Sequence, residues 1–329
     1  MQVQTITRQD MAVAERPKPP RAPSGRNLGD RVYATVLTAL GGLVLLLLGA
    51  IVVVCARLSS PAFAKLGLLA FLHGSDWNPV EDSFGALPFI YGTVVTSLVA
   101  IAVAMPVGVG LSLFLTEIAP GWLRQAVSFL VELLAGVPSV VFGLWGLFVM
   151  VPLLREHVEP ALGKHLGFIP LFSGPPLGLG YLTAGLLLAV MILPTISSVS
   201  TAVIRTVPLP LKEGAYALGA TRWEAIRLAV LPFSKTGILG AVILGLSRAL
   251  GETMAVTMVI GNAPEIHASL FAPGYSLPAV IANEFAEATG AVHTGALAGL
   301  ALVLLGVTLI LNSLARLLVT MSSRLPGPR

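Results

Sequence analysis

One stretch decides the fold of this chain, residues 213–262, which read EGAYALGATRWEAIRLAVLPFSKTGILGAVILGLSRALGETMAVTMVIGN. Its first half is polar and charged, and it ends at Leu231-Pro232. Its second half has the composition of a long apolar helix with Arg248 and Glu252 buried inside it. The pattern predicts a docking element for a soluble partner that continues directly into a charged membrane span. We expect work done on the docking element to be passed to that span.

The composition indicates a membrane protein. Of the 329 residues, 55% are hydrophobic and 11% are charged, whereas a soluble domain carries about 25% charged residues. The mean hydropathy of +0.88 agrees with this interpretation. The single cysteine, Cys55, lies inside an apolar run, so no disulfide framework is expected. The net charge of +4 does not indicate a nucleic-acid partner, because the basic residues are not clustered with aromatic ones.

Six apolar runs are each close in length to the ~20 residues that a membrane-spanning helix needs. We therefore expect them to be surrounded by membrane lipid. The predicted spans are 32–55, 88–115, 126–151, 179–203, 236–262 and 292–320. Six spans place both termini on one side. Most of the 20 Lys and Arg residues lie on that side, in the two terminal segments and in the 204–235 loop. The positive-inside rule therefore predicts that the termini and this loop are cytoplasmic.

The segments outside the spans are less informative. Residues 1–31 are polar and proline-rich, which predicts a disordered tail. The outer segments are 56–87, 152–178 and 263–291. They are either solvated connections or the surface that receives an extracytoplasmic protein, and a short amphipathic helix over Leu154–Leu166 is expected within the second of them.

The third span contains ELLAGVPSVVFG, from Glu132 to Gly143. Pro138 has no N–H to donate, so we expect the helix to break or kink near Gly136. Irregular backbone at membrane depth occurs where protein or a cavity covers it. This segment is therefore either a kink that lines a substrate pathway, with Glu132, Pro138 and Ser139 as pathway residues, or a kink that serves helix packing.

The sequence lacks the motifs of an enzyme. Its Gly163-Lys164 pair is followed by His165 and has no upstream glycine, so a phosphate-binding P-loop is not predicted. There is no HExxH motif, no pairing of Cys or His at metal-ligand spacing and no nucleophile elbow. We expect a chain that is not an enzyme and that holds no cofactor and no metal.

Arg248 and Glu252 are the strongest polar signal. If the fifth span enters near Gly237, Arg248 lies about 17 Å deep, close to the middle of a ~30 Å hydrocarbon core. A charge at that depth costs at least about 2.5–3.5 kcal/mol. The two residues are four positions apart, so on one helix they share a face. They form either an ion pair that fixes packing, which contributes little net stability, or a site on a translocation pathway. An oxyanion suits this pathway site, because the planar guanidinium fork of Arg248 binds two oxygens at once.

The 204–235 loop is the second signal. A short helix is expected from Lys212 to Gly219, where glycine favours a helix end. Thr221 and Glu224 have the spacing of a capping box for a second helix, which is expected to end at Leu231-Pro232. Two short helices around a glycine make a compact knob that either docks a soluble partner or lies on the lipid surface.

This loop and two further motifs resemble a known family. Glu213, Ala215, Gly219, Leu231 and Pro232 resemble the EAA-type loop of bacterial ABC importer permeases, with Gly214 and Ala229 as departures from it. The continuation SRALGETMAVTMVIGN and the segment ELLAGVPSVVFG resemble the permeases of phosphate importers. Sulfate and molybdate permeases carry similar Arg-x-Leu-Gly-Glu segments, so the longer continuation carries the likeness to phosphate importers. The resemblance covers roughly residues 85–320.

The resemblance implies an all-α integral membrane protein with six transmembrane helices. The fold would be a type I ABC importer permease-like bundle with a cytoplasmic coupling helix. The transmembrane domain would span 85–320 with coupling loop 204–235, between a tail and first helix (1–31 and 32–55) and a cytoplasmic tail (321–329).

The implied function is ATP-driven import of inorganic phosphate across the bacterial cytoplasmic membrane. The implied partners are a PstA-like permease subunit, PstB-like ATP-binding subunits that hydrolyse ATP, and a PstS-like phosphate-binding protein. Glu213, Ala215, Gly219, Leu231 and Pro232 would dock the ATPase. Sulfate or molybdate import, and a carrier driven by an ion gradient, are the alternatives.

Overall fold

The computed structural model describes residues 28–323, and most of these are helical. The helices are α1 Leu28–Leu66, α2 Leu68–His73, α3 Leu87–Leu113, α4 Gly121–Gly136, α5 Ser139–Trp145, α6 Val151–Leu153, α7 Glu159–Leu166, α8 Tyr181–Arg205, α9 Leu209–Ala217, α10 Arg222–Ala225, α11 Leu231–Leu250, α12 Met254–Val259, α13 Leu277–Glu284 and α14 Ala291–Ser323. Strands β1 (Trp77–Asn78) and β2 (Ser83–Phe84) form a small antiparallel hairpin. Within the described range, six helical stretches are long and apolar enough to cross a membrane. The predicted number of spans is therefore confirmed.

The boundaries of the first and last spans differ from the prediction. Within the described residues, the chain divides into two units between Val53 and Val54. Helix α1 runs from Leu28 to Leu66, beyond both ends of the predicted 32–55, because polar residues at the edge of an apolar run do not stop a helix. Helix α14 likewise continues to Ser323. The predicted tails 1–31 and 321–329 are thus shorter, and their remaining parts lie outside the described residues.

Within the described residues, four π-helical turns lie inside or at the end of long helices, and each ends two residues before a proline. The turns are Phe114–Ile118, Gly146–Met150, Leu154–Val158 and Ile226–Val230, and the prolines are Pro120, Pro152, Pro160 and Pro232. A proline cannot donate to the carbonyl four residues earlier, and its ring clashes with that carbonyl in an α-helix. At Pro152, Pro160 and Pro232 the wider π-turn removes the clash and the helix continues through the proline, whereas the helix before Pro120 ends at Ile118.

The core of the second unit is built around α8, which is the most buried of the six spans. Helices α3 and α11 pack along it. The main core cluster includes Leu187, Ile192 and Ile196 of α8, Ala100 and Ala104 of α3, and Ala249 of α11. Small residues on α3 and α11 let these helices approach α8 closely.

Of the three segments predicted to lie outside the membrane, 56–87 and 263–291 contact each other and 152–178 has internal contacts. Trp77 of β1 donates a 2.8 Å hydrogen bond from Nε1 to Oε2 of Glu284 at the end of α13. The buried carboxylate of Glu159 accepts a 2.9 Å hydrogen bond from the backbone N–H of Gly178. The amphipathic helix expected over 154–166 continues from the third span without a gap. These segments are therefore folded parts of the domain.

Candidate functional site

Arg248 lies in the last turn of α11 and is exposed on this chain. The residues spaced around it at helical intervals, Leu244 and Gly251, are exposed as well. The opposite face of α11 is buried and consists of Ala241, Gly245 and Ala249. Arg248 therefore points away from the core of its own chain. Within residues 28–323, the ion pairs join other residues and leave its guanidinium free of any carboxylate.

The structure corrects the prediction that Arg248 and Glu252 share a helix face. Helix α11 ends at Leu250, and Gly251 is its cap. Glycine and β-branched threonine are weak helix formers, so the Gly251–Thr253 segment favours a break. Glu252 accepts a hydrogen bond at Oε1 from the N–H of Ala255, at 3.4 Å, and so contacts the start of α12. The predicted continuous span 236–262 is thus two helices with an irregular segment between them.

The predicted break in the third span is confirmed. Helix α4 ends at Gly136, Val137 and Pro138 are extended, and α5 begins at Ser139. The span differs from the predicted 126–151, because α4 precedes the break and a helical stretch from Ser139 continues to Leu166. Glu132 is exposed on α4 and lines a cavity of about 190 Å³ with Arg205 of α8.

The two breaks are neighbours in the fold. Gly143 of α5 lies so close to α12 that a Cβ atom there would stand 3.1 Å from Cα of Ala255 and 2.5 Å from Sδ of Met258. Val137, at the first break, packs against the same core cluster as Ala249, which is next to Arg248. The structure therefore joins the irregular part of the third span to the helix that follows Glu252.

We expect Gly143→Leu to separate α5 from α12. The added side chain would overpack this contact, which typically costs about 1–3 kcal/mol. Thermal unfolding of the purified chain in detergent measures the loss. Gly110→Leu is the matched control, because open space surrounds Gly110. Equal unfolding temperatures for the two variants would contradict the close approach.

The predicted docking loop forms a helical hairpin. Helix α9 ends before Gly219, whose φ of 83° lies in the left-handed region that favours glycine. Thr221 then caps α10, and its side chain and that of Glu224 form the predicted capping box. The first helix begins at Leu209, earlier than the expected Lys212, because Pro210 is tolerated in a first turn. The expected helix end at Leu231-Pro232 is wrong, since the helical stretch runs from Arg222 to Leu250 through a π-turn.

The hairpin encloses an apolar groove of about 670 Å³. Three of the five predicted docking residues line it: Ala215, Gly219 and Pro232. Glu213 is exposed elsewhere on α9, and Leu231 packs inward against the buried cluster of Ile204, Val207, Val230 and Ile238. The groove carries exposed apolar side chains that the sequence analysis did not single out, namely Leu218, Leu228 and Phe233. The sequence signal that could have identified them is the presence of large apolar residues in an otherwise charged loop.

Comparison with known proteins identifies the family. A family model described as "Binding-protein-dependent transport system inner membrane component" matches residues 104–323. The phosphate transport system permease protein PstC of Xylella fastidiosa (strain Temecula1) is 46% identical over 323 residues, which cover 94% of this chain and 98% of that protein. PstC of Pasteurella multocida (strain Pm70) is 48% identical over 280 residues, which cover 84% and 87% of the two chains.

Two solved structures share the fold. The inward-facing MetNI methionine ABC transporter gives a TM-score of 0.52 at 20% identity and covers 73% of this chain and 95% of that chain. A bacterial ABC transporter involved in alginate import gives 0.53 at 18% identity and covers 87% and 94%. These likenesses show the fold of a type I ABC importer permease, as the sequence motifs implied. Together with the sequence relatives, they show that the chain belongs to the PstC family of phosphate transport system permeases.

Proposed function

We propose that this chain is the permease subunit of an ATP-driven importer that moves inorganic phosphate into the cell. The identity of 46% to PstC of Xylella fastidiosa, over 94% of this chain, carries the proposal. The matched length is so nearly complete that it includes the Arg248 segment and the docking loop. The chain itself is a transport subunit, and a separate subunit hydrolyses ATP.

The exposed face of α11 supports a role for Arg248 in substrate passage. A guanidinium that faced lipid near the bilayer centre would cost at least about 2.5–3.5 kcal/mol. Arg248 instead suits an interface with a second permease subunit, where its fork binds two oxygens of a phosphate. Glu252 lies one break further along the chain and offsets this positive charge when no anion is present. In this proposal Pro138, Ser139 and Glu132 border the same pathway.

The docking groove supports the assembly that the family implies. We assign to it a PstB-like ATPase, and to the exposed face of α11 a PstA-like permease subunit. A PstS-like binding protein delivers phosphate to the outer segments. The complex lies in the bacterial cytoplasmic membrane with both termini of this chain inside, in agreement with the distribution of Lys and Arg.

Uptake of labelled phosphate by cells that express the whole complex tests this function. We expect uptake at limiting phosphate to survive an uncoupler of the proton gradient and to fail when ATP is depleted, because ATP is the energy source. An excess of sulfate should leave the rate unchanged. Inhibition by sulfate would assign a different oxyanion, and loss with the uncoupler alone would indicate a carrier driven by an ion gradient.

A further inference from the structure

The docking hairpin, which consists of α9, the turn at Gly219 and α10, continues into α11. It also contacts a second membrane span. Helix α9 has no buried residue, so packing alone holds it weakly. Lys212 of α9 donates from Nζ to Oε1 of Glu117 at 2.6 Å, and Glu117 lies in the π-turn that ends the second span. Both side chains are largely shielded, with 19% and 10% of their surfaces exposed. Shielding from water and salt strengthens such a pair relative to an exposed one.

The same π-turn is also held from the other side. Arg124, in the first turns of α4, donates from Nε to the carbonyl of Leu115 at 2.6 Å. Its Nη2 donates to the carbonyls of Thr116 and Ala119 at 3.5 Å and 3.2 Å. These carbonyls flank Glu117. The π-turn Phe114–Ile118 therefore contacts the hairpin through the carboxylate of Glu117. It contacts α4 through backbone carbonyls in and beside the turn.

Helix α4 is far less buried within this chain than its neighbour α8. It has no buried residue, whereas α8 beside it is largely buried. The cavity of about 190 Å³ between them is lined by Ser128 of α4 and by Thr201 of α8, together with Leu115 of the π-turn. The far end of α4 is the extended Val137-Pro138 break. A helix of this length spans about 24 Å, so it can act as a lever from the cytoplasmic turn to the break.

We propose that Glu117 is a positioning residue that relays movement of the docking hairpin to α4, and through α4 to the break at Pro138. This relay rests on the proposed function, since it takes the hairpin as the element that the ATPase moves. It adds a second route to the direct one through α10 and α11. The direct route reaches the break at Gly251, and the relay reaches the break at Pro138. Because the two broken spans pack together, both routes act on one site.

Disulfide cross-linking in the assembled complex measures movement of α4. Ser128→Cys and Thr201→Cys are combined with Cys55→Ala, which removes the native thiol. We expect the cross-linking yield to change by at least about fivefold between the nucleotide-free complex and the complex with a non-hydrolysable ATP analogue. An unchanged yield would overturn the proposal, because α4 would then not respond to the ATPase.

The ion pair is tested in the same background. Lys212→Met should remove the nucleotide-dependent change, and the exchanged pair Lys212→Glu with Glu117→Lys should restore it. Lys65→Met is the matched control, because it breaks another ion pair, Lys65–Asp82 at 2.8 Å, far along the chain from the hairpin. Co-purification of the ATPase shows that each variant assembles. A full change in the Lys212→Met complex, or no recovery in the exchanged pair, would overturn the relay.

The cross-linking does not depend on the identity of the substrate. A nucleotide-dependent change in a complex that takes up no phosphate would overturn the proposed substrate and leave the relay in place. Phosphate uptake without the change would overturn the relay and leave the proposed function in place.

Discussion

Replacement of Arg248 by Gln is expected to reduce phosphate uptake by about 100-fold while the complex still assembles. A charge-assisted hydrogen bond contributes up to about 3 kcal/mol, and this substitution removes the charge that two phosphate oxygens would share. The fold of this chain should persist because Arg248 is exposed and its guanidinium makes no ion pair within the described residues. Assembly should persist because the rest of the exposed α11 face is unchanged. Labelled phosphate uptake, with co-purification of the other subunits, measures both quantities.

Two further variants separate charge from geometry at this position. Arg248→Lys keeps the charge and loses the planar fork, so we expect uptake between that of the wild type and that of Arg248→Gln. Arg316→Gln is the matched control, because Arg316 is also exposed on a spanning helix but lies in the last part of α14. Normal uptake by the Arg248→Gln variant would return this residue to a packing role at the subunit interface.

Local signals in the sequence predicted local structure well. The break before Pro138 was predictable because proline lacks an N–H, and the hairpin turn was predictable from Gly219 and from the Thr221–Glu224 spacing. The same kind of reasoning was wrong at Pro232, where a π-turn lets the helix continue. Whether a proline ends a helix or only widens a turn depends on the packing of the neighbouring turns, which a single sequence does not display.

The site itself was harder to predict than its parts. The sequence places Arg248 and Glu252 four residues apart, but Gly251 ends the helix between them and changes what Glu252 contacts. Glu117 and Lys212 are 95 residues apart, so no local pattern links them. The burial of each residue was also unknown from the sequence. The sequence predicts Arg248 as a charge buried in a membrane span, yet the structure leaves it exposed on its own chain.

Leu218→Glu is expected to weaken association with the ATPase by about 30-fold and to leave the fold of this chain unchanged. Leu218 lines the apolar groove and is 91% exposed, so it contributes little to the packing of its own chain. A partner that covers the groove would have to bury the new carboxylate, and central apolar contacts of this kind are worth about 2 kcal/mol or more. Co-purification of the ATPase with the tagged complex measures the loss.

The control for this prediction must be an equally exposed apolar residue away from the hairpin. Val80, between β1 and β2, is 93% exposed and lies at the opposite end of the spans, so Val80→Glu adds the same charge away from the hairpin. Glu213→Lys should weaken association as well, because Glu213 is an exposed charge on α9, but it lies outside the groove and the loss should be smaller. If Leu218→Glu and Val80→Glu retain the ATPase equally, the groove is not the docking surface. If Glu213→Lys alone releases the ATPase, the charged side of α9, and not the apolar groove, carries the contact.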